Sequence, residues 1–272
     1  MPKPFFGNPN CYARALGDCS ARINREHYVS SSVLSDVAEG EASVLVQNLG
    51  FQQKKGELEG RGISSLVARV LCEKHNEALG PFDATGRALF AALDRINSTI
   101  ASPVRQELVT MIDGHRLERW MLKTLCGGLY SGNLPTFDGS IKGLCPPRLW
   151  LDALYRDGDL PVGQGLYLKA GSPGVAFSTE PMVLKFRAEV DLANVVIGIT
   201  TWVFNFEFIL VLAPLPEVCP PSMDHSHYRP KALVFEGSAK RVAFDWGADT
   251  GSDPVRVMWL GPGRRDQDPT PA

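Results

Sequence analysis

The hydrophobic period of this 272-residue chain changes from helical to strand-like near residue 159, so the fold must hold both kinds of layer. Within "DATGRALFAALDRINS", Leu89, Phe90, Leu93 and Ile96 share one helical face, and Asp83 stands where an N-cap belongs. "HRLERWMLKTLCGGLYSG" repeats the pattern through Leu117, Trp120, Met121, Thr124 and Leu125 and is expected to end at Gly127 and Gly128. "PPRLWLDALYRDG" predicts a shorter helix with Pro147 near its first turn. Beyond it, "GLYLKA", "MVLKFRAEV", "FNFEFILVL", "KALVFEG", "RVAFDWG" and "VRVMWLG" alternate with period two between Gly, Pro and Asp turns. The expected class is α+β, divided into an N-terminal module (1–82), a central helical region (83–158), a C-terminal antiparallel β-rich region (159–260) and a disordered tail (261–272).

Composition narrows the function classes. Apolar residues make up 44% and charged residues 21%, as in globular proteins, and the net charge of −2 supplies no global positive field for nucleic acid. Any phosphate-binding surface must therefore be local. "VVIGITTWVFNFEFILVLA", residues 195–213, is long enough to span a bilayer, but Asn205 and Glu207 interrupt it and its phenylalanines alternate. Two sheet strands are expected there, and no membrane partner. The start lacks a secretory apolar run, and the six cysteines are spread widely, so a reducing, cytoplasmic setting is expected.

Residues 1–82 carry the chemistry. Cys72 and His75 lie one turn apart if a helix begins at Cys72, which makes a half-site for zinc; Cys11 and Cys19 can complete a tetrahedron. The competing reading is four unrelated buried residues, since free cysteine is usually core. Cys126 is expected in the core, and His115 is expected to be a helix-start residue. Between the two pairs, "SARINREHYVS" puts Glu26 beside His27 in a segment that otherwise looks like a strand. Strand neighbours face opposite sides, so the two act together only at a strand end or a bulge.

A cysteine pair, the strand "REHYVS" and a helix opening "LCEKHN" resemble the treble-clef form of the HNH endonucleases. The resemblance implies a treble-clef-like module with structural Zn2+ on Cys11, Cys19, Cys72 and His75. It also implies His27 as general base, with Glu26 and Asn76 holding a catalytic Mg2+ or Mn2+. Arg22 and Arg25 would touch backbone phosphates, and the nucleic acid would be DNA rather than RNA. The chain departs from the pattern in its seven-residue knuckle, "YARALGD", and in lacking the family's central Asn, for which Ser64, Ser65 or the distant Asn48 are the candidates. Two readings follow. One is a metal-dependent nuclease; the other is a non-catalytic, zinc-stapled protein with a degenerate site. In either, the β-rich region is expected to serve as a recognition or assembly platform for a protein partner.

Overall fold

In the computed structural model the two hydrophobic periods become two kinds of layer, helices and β-sheets. The structure describes residues 6–27, 29–38, 43–47, 57–100, 107–134, 143–169, 183–191, 195–204, 206–213, 226–248 and 251–257. The N-terminal part runs β1 (Ile23–His27), α1 (Ser31–Val37), β2 (Ser43–Gln47), β3 (Glu59–Gly62), β4 (Val67–Cys72) and α2 (Glu73–Glu77). The middle runs α3 (Gly80–Thr99), β5 (Leu108–Asp113), α4 (Gly114–Ser131) and α5 (Arg148–Tyr155). The remainder is β6 (Gly165–Lys169), β7 (Val183–Val190), β8 (Val196–Val203), β9 (Phe206–Val211), β10 (Ser226–Tyr228), β11 (Ala232–Phe235), β12 (Lys240–Asp245) and β13 (Val255–Val257).

The two long helices form the core's spine. Leu89, Phe90, Leu93 and Ile96 of α3 are buried, as are all five apolar-face residues of α4, each large apolar side chain contributing about 1.5–3 kcal/mol. Phe90 and Trp120 meet edge to face with ring centres 5.8 Å apart, tying α3 to α4. Two boundary expectations are corrected. α3 begins at Gly80, so Asp83 lies inside its first turn and its carboxylate is spent elsewhere. α4 runs past Gly127 and Gly128 and ends at Gly132, which takes the left-handed conformation (φ 78°).

The strands form two mixed sheets and a separate antiparallel pair, β1 with β4, rather than a single antiparallel sheet. In the seven-stranded sheet, order β10-β6-β9-β8-β7-β2-β3, every pairing is antiparallel except β2 with β7. In the four-stranded sheet, order β13-β11-β12-β5, only β11 and β12 are antiparallel. Both sheets recruit strands from earlier in the chain, β2 and β3 in one and β5 in the other; parallel pairing requires such a crossover. Residues 195–213 hold β8 and β9, and β8 is buried on nearly every residue of both faces, which gives it a membrane-like composition. Among the described residues no helix is long and apolar enough to cross a membrane. The expected tail at 261–272, Asn205 and Asn48 lie outside the described residues.

Candidate metal centre

The long knuckle between the first two cysteines is folded rather than loose. Cys11 N–H donates to Asn8 O at 2.9 Å, a 3-10 turn follows at Arg14–Leu16, and Gly17 reverses the chain with φ 75°. Phe6 then bridges the loop's end, donating to Gly17 O at 2.8 Å and accepting from Cys19 N–H at 3.0 Å. Tyr12 N–H donates to Val70 O at 2.9 Å and so fastens the knuckle to β4. Cys72 is the last residue of β4 and the N-cap position of α2, which places His75 one turn further on.

These elements bring the four expected ligands together. The sulfurs of Cys11, Cys19 and Cys72 and a nitrogen of His75 all lie within 4.8 Å of one another. His75 Nδ1 is 3.6, 3.7 and 3.2 Å from Sγ of Cys11, Cys19 and Cys72. Tetrahedral zinc with ordinary bond lengths requires S···N separations of about 3.5 Å. The cluster therefore has the dimensions and the donors of a metal site. Cys11, Cys72 and His75 are buried, and Cys19 is half-buried.

Electrostatics point the same way. Burial pushes the Cys11 thiol well up and raises the Cys19 thiol, a cost that a bound cation would offset. At Cys72 burial also raises, but the backbone N–H groups of His75 and Ser20 outweigh it and hold the thiol below its ordinary value. Burial pulls His75 down, which keeps the imidazole neutral, the form a metal takes. Its Nε2–H donates to Asp18 Oδ1 at 3.0 Å, leaving the Nδ1 lone pair toward the sulfurs. Burial opposes the charge on Asp18, but Lys74 and His75 win and hold its carboxyl below the usual range. Sequence reasoning missed Asp18; its signal was an acid immediately before the second cysteine.

The second constellation arrives differently from expectation. β1 ends at His27, so the strand-end condition for the pair is met; the β1–β4 register also shifts, but between Asn24 and Glu26, ahead of the pair, which itself faces Ala68 and Val67 in regular register. Glu26 is 6% exposed and hydrogen-bonded by Asn76. The carbonyl of Ile63 accepts from the His27 ring, the orienting service that Ser64, Ser65 or Asn48 was expected to supply. Burial lowers the His27 pKa, and Lys123 and Arg25 lower it further, so the ring is neutral at neutral pH.

The unexpected member is Lys123, 1% exposed, on the apolar face of α4. Its Nζ lies 2.5 Å from Glu26 Oε1 and 2.6 and 2.7 Å from the two oxygens of Asp83. Ser30 Oγ donates to Asp83 at 2.5 Å and accepts from Trp120 Nε1 at 2.9 Å, closing the network. One ammonium serves two acids, so burial still leaves the Glu26 carboxyl above its usual range. The place a catalytic divalent cation would take beside Glu26 is filled by this ammonium, so these residues do not fit that ion. The sequence signal was a lysine inside "WMLKTLC", where helical period puts an apolar residue. Arg22 is highly exposed and 3.8 Å from Glu73, and Arg25 is exposed on β1.

No family model, no curated protein and no solved structure matches the chain.

Proposed function

We propose that the N-terminal module is a zinc-stapled, HNH-like scaffold whose catalytic cation has been replaced by a lysine. On this reading the protein holds nucleic-acid backbone without hydrolysing it. The observation that carries the reading is Lys123 Nζ at 2.5–2.7 Å from Glu26 and Asp83. A hydrated divalent ion would have to displace a buried, doubly paired ammonium to reach Glu26, and a buried charge so displaced has no other partner. Zinc is assigned from the donor set, since three thiolates and one imidazole in a closed, four-ligand cluster are typical of its structural sites. It would staple the knuckle to the start of α2. Arg22, Arg25 and the exposed Arg69 of β4 are the groups for phosphate contact.

The nuclease reading has its own support in the neutral, carbonyl-held His27 beside the Glu26–Asn76 pair. One experiment separates the two. Purified protein should contain one zinc per chain and retain duplex DNA at low salt, with retention falling steeply as salt rises. Supercoiled plasmid with Mg2+ or Mn2+ should remain as intact as it does with His27→Ala. Nicking that needs the added cation and disappears in His27→Ala would overturn the proposal in favour of the nuclease; a metal-free protein would overturn both.

A further inference from the structure

β5 stands at one end of the four-stranded sheet, so one side of its backbone has no strand beside it among the described residues. Leu108 N–H donates to Ala239 O at 3.1 Å, which turns the even-numbered residues of β5 toward β12. Backbone direction alternates along a strand, so the N–H and C=O groups of Val109, Met111 and Asp113 face the open side. Proteins usually blunt such edges with short strands or with charges. The other three sheet ends follow that rule. β10 and β13 have three residues each, Arg256 of β13 is exposed, and β3 carries Glu59 and Arg61. β5 has six residues, no proline, and no charge before Asp113.

The edge is also apolar where it meets water. Val109 is 42% and Met111 65% exposed, whereas Ile112 on the opposite face is buried. That exposed face is polarised along the strands. At its start the exposed Arg241 lies beside Val109, and Val234 and the exposed Arg256 continue the row. At its end the exposed Asp245 lies beside Asp113. Arg116 pairs with Asp113 at 3.2 Å, while Arg241 and Asp245 take part in no ion pair among the described residues. One end is therefore basic and the other acidic.

We propose that β5 pairs antiparallel with β5 of a second copy of this chain, across a two-fold axis at Met111. That centring sets Val109, Met111 and Asp113 of one copy opposite Asp113, Met111 and Val109 of the other, so the outward backbone donors meet acceptors. It brings the two Met111 side chains together. It also carries Arg241 to two strand spacings, about 9.5 Å, from the backbone of Asp113 in the other copy, within reach of a guanidinium. The basic row of each copy thus meets the acidic row of the other. Centring on Thr110 would instead oppose Asp113 and Glu107, like charge on like. One strand edge is a small interface, below about 1,200 Å², so the dimer exchanges with monomer.

Sedimentation of the full zinc-loaded chain over a range of concentrations tests this. A reversible monomer–dimer equilibrium is expected. Met111→Lys should weaken the dimer about tenfold or more, because two ammonium groups would face each other at the axis. Arg241→Glu should weaken it less, and both variants should melt with the parent at low concentration, showing the monomer intact. Register is read by mild oxidation. Met111→Cys should cross-link above the parent's level, since directly opposed Cα atoms at about 5.5 Å suit a disulfide. Val109→Cys should not, because the two copies of residue 109 lie about 13 Å apart along the strands. A dimer unchanged by Met111→Lys, or equal cross-linking in the two cysteine variants, would overturn the proposal. So would a single-chain mass at every concentration, which would leave the edge to a strand of a different protein.

Discussion

Replacing Lys123 by methionine keeps the aliphatic stem and removes only the ammonium, which isolates the charge network between β1, α3 and α4. The parent group is 1% exposed and neutralises Glu26 and Asp83 together, with Nζ at 2.5–2.7 Å from their oxygens. Deleting one partner of a buried ion pair costs about 3–5 kcal/mol, because the survivors remain buried and uncompensated. Asp83 keeps 27% side-chain exposure, which favours the lower end. At about 2–4 °C per kcal/mol for a chain of this size, the melting temperature should fall by about 6–20 °C. The loss should depend on pH with a definite sign. Burial already holds the Glu26 carboxyl above its usual range with Lys123 present, and without it that carboxyl must rise further. A raised carboxyl pKa means the folded variant keeps protons that the unfolded chain has released, so its stability recovers as pH falls. Urea unfolding at pH 8 and pH 5, with zinc content held equal, reads both quantities. Adding Glu26→Gln and Asp83→Asn to Lys123→Met should return at least half of the loss. A loss below about 1 kcal/mol at both pH values, within reach of an ordinary surface change, would refute the reasoning, as would a loss that grows toward acid.

The other expectations concern the metal's outer partner and the contact of His115 with Glu118. Asp18→Asn should weaken zinc binding about 10- to 100-fold in a chelator competition while leaving the secondary structure of the metal-saturated protein unchanged, because Asp18 fixes the tautomer of His75. His115 has its pKa raised by its hydrogen bond to Glu118, with burial working against it, so its stabilising contribution is full below the unfolded value near 6.5 and lost as pH rises through the folded value. His115→Gln should therefore destabilise at pH 5.5 and be nearly neutral at pH 9, as read by thermal unfolding.

Local pattern was enough to recognise some of this protein and not the rest. The four candidate ligands were legible because Cys72 and His75 are separated by one helical turn and two further cysteines precede them; their closure depended on a knuckle held by Phe6, which spacing alone does not reveal. The strand period required a strand end or a bulge at Glu26 and His27, and β1 supplies the end at His27, its bulge lying one step earlier. Asp83 looked like a helix cap because its neighbours are helical; its partner lies forty residues away on α4, and no local signal connects them. Gly127 and Gly128 looked like a stop, but α4 is buried on so many sides that small residues there serve packing.

What the amino-acid order determined by itself were short-range matters: the helical stripes of α3 and α4, the alternation of the later strands, and the one-turn pairing of Cys72 with His75. These follow from periodicities of a few residues, which the backbone geometry sets. Only the tertiary structure decided that β2, β3 and β5 join distant strands, that Asp18 braces the histidine, and that an ammonium from α4 occupies the acid pair. Those outcomes depend on which separated surfaces meet, and burial then converts a single side chain such as Lys123 from a solvated charge into the buried partner that neutralises Glu26.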